Sequence, residues 1–396
     1  MNKRTIAIFT GNRAEYGLQY PILKAVSEDD SLEYKLLVSG AHLDSNFGAT
    51  LDEIKKDGFE ITEEIKIDLA VDSHISTAMA ISSGVSEISR CLAEIKPDLF
   101  VVYADRFEGF AAVIASTQMA IPTAHIEGGD LTEGGALDDS VRHAMTKLSH
   151  IHFTTNEEAT KRILNMGEES WRVHTVGFPA IDLIDNDNFA SADEIVSRYG
   201  LDLSYPIVLF TQHSITTEFN LSAEQVRPSL DALKELSLNG TQIIITYPNN
   251  DAGGQAIISE IENIDLNKFP NINVTKSLGR YNYHGILALA RNQKNKIVCA
   301  GNSSSGIKET PVFGCPTLNI GSRQDARLRA NNVIDVEYSK LEIIEGLKKC
   351  FEDKNFRKIC FDCDNPYFLG GAGEKISSVL KKIEIDERLI RKKMTY

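Results

Sequence analysis

Short apolar runs alternate along this chain with longer stretches whose apolar residues recur at helical spacing. Ten runs read as strands: Ile6–Thr10, Tyr34–Ser39, Leu99–Tyr103, Thr123–Ile126, Ile151–Thr155, Ile207–Thr211, Gln242–Tyr247, Ile297–Ala300, Thr317–Ile320 and Val333–Val336. Ser76–Ile95, Glu108–Met119 and Leu221–Leu236 read as helices between them. Repeated alternation of this kind predicts an α/β protein with parallel sheets covered by helices on both faces. Ligands of such folds bind in loops at the carboxyl ends of the strands. The alternation breaks at Val176–Ile181, a polar stretch follows from Asp182 to Asp193, and a fresh strand begins after Pro206. The predicted division is therefore a first domain over 1–180, a second over 181–372, and a last helical stretch, Gly373–Lys393, in a segment 373–396 that returns to the first domain. There is no internal repeat and no low-complexity tract.

Composition narrows the class. The chain has 396 residues, 42% hydrophobic and 25% charged, which suits two ordinary domains with sizeable cores. A net charge of −14 argues against non-specific nucleic-acid binding, although local charge decides whether a small phosphorylated ligand is held. The apolar run after the basic start is too short for a secretory signal or a membrane span, so the expectation is a cytoplasmic protein without membrane attachment. Of six cysteines, Cys360 and Cys363 form a lone CxxC without a partner pair, and zinc or redox chemistry is not expected there.

The loops after the strands carry the polar residues. After the first comes Gly11-Asn12-Arg13-Ala14-Glu15, where an arginine at a helix start suits a phosphate. Asp105-Arg106 follows Leu99–Tyr103. His125-Ile126-Glu127-Gly128-Gly129-Asp130 follows Thr123, and Asp138-Asp139 precede Arg142-His143. Asp105, Glu127 and Asp138, with cations among them, form a set suited to acid–base work on a sugar. The competing reading makes Asp105 and Arg106 a helix cap and Asp138 a surface ion pair. A metal site is disfavoured because the set lacks tight His/Cys spacing. In the second half, His213 ends a strand, Arg323 and Arg327 follow another, and Arg280 with Tyr281 precedes a helical stretch. Gly301-Asn302-Ser303-Ser304-Ser305-Gly306 leads from a strand into a helix, so that backbone N–H groups and hydroxyls can approach an anion at the positive end of the helix dipole. Glu309, one turn further, is placed to grip a ribose diol. A simple capped helix start is the alternative.

Taken in order, Gly11–Gly17, Asp105–Glu108, His125–Gly129, Asp138–His143, Thr146–His150, Gly301–Gly306 and Ile320–Gln324 resemble the hydrolysing UDP-N-acetylglucosamine 2-epimerases, in particular the branch feeding sialic- and legionaminic-acid synthesis. The resemblance covers most of the chain. It implies two Rossmann-like domains with a central cleft in a glycosyltransferase-B-like fold, no metal or nicotinamide cofactor, and a homodimer or homotetramer. It implies a UDP-sugar substrate and a UDP product, with an enol-ether (glycal) intermediate. By motif, Asp105, Glu127 and Asp138 match the catalytic carboxylates, and Arg142 and His125 the residues that orient them. His213 matches a histidine near the diphosphate. Arg13, Ser303, Ser304 and Arg323 match phosphate contacts and Glu309 the ribose clamp, with His125 also counted among the substrate contacts; Arg280 is counted there not by motif but by its position before a helical stretch, as a lining of the base pocket, against a plain structural reading. One departure is Ser214, where this branch commonly has proline after the histidine. Related enzymes act on UDP-N,N′-diacetylbacillosamine or a GDP-linked sugar, and the residues do not choose among these. A glycosyltransferase of the same fold, or a nucleotide-sugar-binding regulator, are the competing functions.

Overall fold

The computed structural model describes residues 3–43, 50–67, 74–133, 136–249 and 251–396, apart from the side chains of Arg13, Ala14, Ala41, Thr50 and His74. Two compact units emerge. The first comprises Met1–Leu131, Leu137–Asp182 and Tyr367–Tyr396; the second comprises Thr132–Ala136 and Leu183–Pro366. The chain thus re-enters the first unit at Tyr367 rather than at 373.

In the first unit, β1 (Arg4–Thr10), β2 (Leu32–Ser39), β3 (Ile61–Ile65), β4 (Leu99–Tyr103), β5 (Thr123–Ile126), β6 (Ile151–Thr154) and β7 (Val173–Thr175) form one sheet in the order β3-β2-β1-β4-β5-β6-β7. In the second, β8 (Ile207–Thr211), β9 (Gln242–Thr246), β10 (Ile272–Thr275), β11 (Ile297–Gly301), β12 (Thr317–Ile320) and β13 (Val333–Val336) follow the order β10-β9-β8-β11-β12-β13. All pairings are parallel. Each unit is a doubly wound sheet whose chain runs outward, then crosses back to the other side of its first strand. That reversal opens a crevice at the carboxyl ends of β1 and β4 in one unit, and of β8 and β11 in the other.

The period-2 alternation of strand side chains feeds a separate core on each face of the second sheet. Val208, Phe210, Ile243, Ile245 and Val298 pack on one face with the helix Ser222–Leu238. Ile207, Leu209, Ile244 and Ile297 pack on the other with the helix Gly279–Ala288. Both faces being covered, the central strands carry no polar alternation, which is why they stand out in the sequence. Three strands were not predicted: β3, β7 and β10. Each lies at a sheet edge with one neighbour and a partly exposed face, so Ile-Thr-Glu-Glu-Ile in β3 needs no continuous apolar run.

The predicted terminal helix Gly373–Lys393 is instead a helix over Ala372–Lys382 and a short one over Glu387–Ile390. Asp182 accepts from the amides of Ala372 (3.1 Å) and Gly373 (2.8 Å), satisfying the start of the first. Arg4 donates to the carbonyls of Leu380, Lys381 and Ile383, which closes its end and stops the ladder there. Asp386 then caps the short helix through the Leu389 amide. Among the described residues, no helix is long and apolar enough to cross a membrane.

The tail that follows is held by buried charge. Lys392 donates to the carbonyls of Thr146, Lys147 and Ser149, the last turn of the helix Leu137–Leu148, and pairs with Glu168 at 2.8 Å. Glu168 is fully buried and also meets Lys147 (2.6 Å) and His152 (3.0 Å). Burial pushes its pKa up, but His152, Lys147 and Lys392 outweigh that and hold it near 2. Lys392→Met leaves this carboxylate poorly compensated and is expected to destabilise the protein by about 3 kcal/mol in denaturant unfolding. Because Glu168 binds its proton more weakly folded than unfolded, its contribution is complete above the ordinary glutamate pKa and disappears as the pH falls towards 2. Lys392→Met is therefore expected to move the acid-unfolding midpoint to higher pH.

Candidate active site

In the first unit, the site begins with a buried cation. Arg142, on the helix Leu137–Leu148, is completely buried, and a guanidinium cannot shed its charge. It is ion-paired with Asp105, donates to Asp139 Oδ1 at 3.0 Å, and donates to the Asp130 carbonyl at 2.9 Å. Asp105 does not cap the helix that follows β4: Arg106 occupies that position, without a side-chain cap bond, and turns its guanidinium to Glu108 at 3.3 Å. The capping alternative for Asp105 is thereby replaced by an ion pair. Asp138 lies beside this network in the first turn of its helix, half-buried, while its neighbour Asp139 enters it.

Two residues of this loop cluster occupy left-handed backbone conformations although neither is glycine. Ala104, directly before Asp105, has φ 53°, and Glu127 has φ 66°. Strain of this kind persists where surrounding bonds over-determine it. Here the Ala104 amide donates to Ile126 O (3.0 Å), and the Glu127 amide donates to Phe153 O (2.8 Å). His125 supplies the third restraint: its Nε2 lies 2.6 Å from the Ala104 carbonyl and its Nδ1 3.2 Å from the Thr146 hydroxyl. Burial pushes the His125 imidazole down to about 3, so the ring is neutral, with its proton on Nε2 facing the carbonyl. His125 has no exposed surface. Both ring nitrogens are thus engaged with the loop and the helix that carry Asp105 and Arg142.

Beneath Gly11 lies a carboxyl pair that the sequence reading passed over. Glu15 accepts the Gly11 amide at 2.7 Å, and its own amide donates to Asn12 Oδ1 at 3.1 Å. Glu108 fills the space in which a side chain on Gly11 would stand, 2.9 Å from the Cβ position. Burial, then the Glu108 charge, raises the Glu15 pKa to about 8, against the pull of Arg106 and the Gly11 and Asn12 amides. The signal was present as Asn12-x-x-Glu15, a capping-box spacing just after a strand. Arg13 opens the helix Arg13–Ser27 above this pair; its side chain lies outside the described residues.

In the second unit, β8 and β11 meet so closely that Gly301, at φ 115°, would place a Cβ 2.0 Å from the Thr211 carbonyl. Only glycine fits there. The next residue, Asn302, pairs its side-chain amide with both backbone groups of His213, accepting from the amide (2.6 Å) and donating to the carbonyl (2.9 Å). His213 Nδ1 accepts the Asn249 amide at 3.1 Å, which puts the ring proton on Nε2, the form that donates to an anionic oxygen. Ser214 needs no proline stiffness, since Asn302 fixes the loop instead. Arg323, in the turn Ser322–Gln324, donates to the Asn302 carbonyl at 3.1 Å, and Gln324 donates to it at 2.8 Å.

Ser303 and Ser304 are partly exposed at the tip of this loop. The helix they lead into is only Ser305–Lys308, followed by a 3-10 turn over Thr310–Phe313 with Pro311 in its first turn. A four-residue helix carries little macrodipole, so the loop offers side-chain donors rather than a strong dipole at this helix start. Glu309 is buried at the end of that helix and meets a partner the sequence reading missed: His284, whose Nε2 is 2.6 Å from its Oε2. Arg280 lies one turn earlier on the helix that carries His284. No group of three or more His, Cys, Asp or Glu side chains placed to hold a metal occurs among the described residues. Burial pushes the Cys360 thiol up to about 12 and raises Cys363, so both members of the CxxC are protonated thiols.

Comparison with known proteins identifies the family and the fold. A sequence model of the UDP-N-acetylglucosamine 2-epimerase family matches residues 24–381. The UDP-N,N′-diacetylbacillosamine 2-epimerase (hydrolyzing) of Legionella pneumophila is 35% identical over 99% of this chain and all of its own length. The UDP-N-acetylglucosamine 2-epimerase of Neisseria meningitidis serogroup B is 32% identical over 88% of this chain and 87% of its own. Among solved structures, a UDP-GlcNAc 2-epimerase from Neisseria meningitidis bound to UDP-GlcNAc superposes with a TM-score of 0.78 at 19% identity, covering 96% of this chain and 100% of that one. One from Methanocaldococcus jannaschii, in complex with UDP-GlcNAc and UDP, gives 0.75 at 16% identity, over 95% of this chain and 99% of that one.

The Glu15 pair has a measurable consequence. A carboxyl whose pKa is raised by folding stabilises fully below its ordinary value, about 4.5, and loses that contribution as the pH rises towards 8. Glu15→Gln keeps the acceptor for Gly11 and cannot ionise. Its melting temperature is expected to match the wild type at pH 5 and to exceed it by about 2–4 °C or more at pH 9.

Proposed function

The chain belongs to the UDP-N-acetylglucosamine 2-epimerase family, and from that premise we propose that it is a hydrolysing 2-epimerase of a nucleotide-linked 2-acetamido sugar. The observation that carries the proposal is the restrained carboxylate set of the first unit: Asp105 held by buried Arg142, with Glu127 and Asp138 on the adjoining loop and helix. Removing a proton from C2 needs carboxylates held in fixed directions, and simple glycosyl transfer does not.

The reaction runs in two stages. A carboxylate takes the C2 proton while the C1–O bond breaks, its electrons leaving with the nucleoside diphosphate and a C1–C2 double bond forming. Water then adds its hydroxyl to C1, and a carboxylic acid returns a proton to C2 from the opposite face. The products are the free C2 epimer and the nucleoside diphosphate. Asp105, Glu127 and Asp138 serve these proton transfers. His213 Nε2–H, Arg323 and the Ser303 and Ser304 hydroxyls stabilise the departing diphosphate, where charge develops. Glu309 grips the ribose, and Arg280 lines the base.

UDP-N-acetylglucosamine, giving N-acetylmannosamine for nonulosonate synthesis, is the first substrate to test. UDP-N,N′-diacetylbacillosamine is the second reading, favoured by the Legionella relative at 35% identity and by the GDP/UDP-N,N′-diacetylbacillosamine 2-epimerase (hydrolyzing) of Campylobacter jejuni at 34%.

Incubation with each UDP-sugar in D₂O, without acceptor, is expected to release UDP and a free epimerised sugar carrying deuterium at C2, read by NMR. Recovery of unchanged sugar nucleotide, or of an epimer still linked to UDP, would overturn the hydrolysing assignment. Asp105→Asn is expected to lower kcat by roughly 10²–10⁴-fold while UDP affinity stays close to wild type.

A further inference from the structure

Glu309 is not left to find its own orientation. Its Oε2 lies 2.6 Å from His284 Nε2, and both side chains are almost wholly buried. A carboxylate accepts and does not donate, so the imidazole proton sits on Nε2, and Oε1 is left to other donors. His284 Nδ1 is buried with no hydrogen-bond partner among the described residues. That unsatisfied nitrogen decides between two roles for the ring. The ring packs 5.9 Å from that of Phe313, a place that leucine or phenylalanine would fill without stranding a polar atom. A histidine here carries a cost that packing does not explain and that the contact with Glu309 does.

We propose that His284 is a positioning residue for nucleoside recognition: its Nε2–H fixes the Glu309 carboxylate so that Oε1 is presented to the vicinal hydroxyls of a ribose. This rests on Glu309 being the ribose-binding group. A glutamate loses considerable rotamer freedom when it is ordered by a ligand. With His284 in place that ordering is complete before the nucleotide arrives, and the bound ribose gains the full benefit of its hydrogen bonds. Arg280, four residues earlier on the helix that carries His284, shares a helix face with it and brings a cation to the same neighbourhood.

The test compares dissociation constants of UDP with 2′,3′-dideoxy-UDP, and of GDP with 2′,3′-dideoxy-GDP, by calorimetry. The wild type is expected to prefer the ribonucleotide by roughly 10- to 100-fold, the value of a hydrogen bond to a charged group. His284→Leu is expected to reduce that preference to about threefold or less while affinity for the dideoxynucleotide changes by less than about twofold. His284→Asn, whose amide is too short to reach Oε2, provides the same loss in a polar background if the leucine variant does not fold. His284→Gln, whose amide reaches Nε2's position, is expected to restore most of the preference. Combining His284→Leu with Glu309→Gln is expected to add nothing to Glu309→Gln alone. A wild-type preference retained in both His284→Leu and His284→Asn would overturn the proposal. So would equal weakening of ribo- and dideoxynucleotide, the signature of lost packing. A preference that survives Glu309→Gln would instead overturn Glu309 as the ribose group, and a wild type with no preference for either ribonucleotide would overturn both.

Discussion

A permanently charged guanidinium with no access to water governs the first unit. Arg142 can be buried only if its charge is met, and Asp105, Asp139 and the Asp130 carbonyl meet it from three different places in the chain. The loop after β4, the loop after β5 and the start of the helix Leu137–Leu148 are therefore bound to one another by a single side chain. Strain at Ala104 and Glu127 is tolerable because this network, and His125 beneath it, leaves those loops no cheaper arrangement.

The second unit solves a similar problem with neutral groups. Its crevice brings β8 and β11 together at a glycine, and one asparagine side chain then substitutes for a missing backbone ladder by pairing with His213 on both sides. Asn302 also offers its carbonyl to Arg323 and Gln324, so the histidine, the serine loop and the arginine are tied to one residue. The two units share a topology and place their chemistry at the same point of it. One gathers carboxylates around a buried cation, the other gathers hydrogen-bond donors around a glycine.

Most of the sheet architecture was legible because interior parallel strands must be apolar on both faces, so they appear as uninterrupted runs. β3, β7 and β10 escaped notice for the complementary reason: an edge strand needs only one buried face and one neighbour. The terminal helix was over-extended because helical periodicity continues past Lys382, whereas Arg4, almost the whole chain away, takes the carbonyls that would have continued it.

For the candidate site, residue type and position after a strand were enough to bring out Asp105, Glu127, Asp138, Arg142, His213, Arg323 and Glu309, since a polar loop at a crevice is visible locally. The supporting residues were not. Glu15, Glu108, Asn302 and His284 look ordinary one at a time, and their contacts exist only in pairs separated by tens of residues: Glu15 with Glu108, Asn302 with His213, His284 with Glu309. His125 shows the same division from the other side: its motif marked it as important, and only folding showed that it is completely buried, with its ring nitrogens engaged by the Ala104 carbonyl and the Thr146 hydroxyl. Local pattern thus settled the class of fold and the order of the loops that carry polar residues. Which carboxylate meets which cation, which groups are protonated, and which oxygen of Glu309 is left for a ligand were decided by folding. Those properties depend on distance and on exclusion from water, and neither is written in the order of residues.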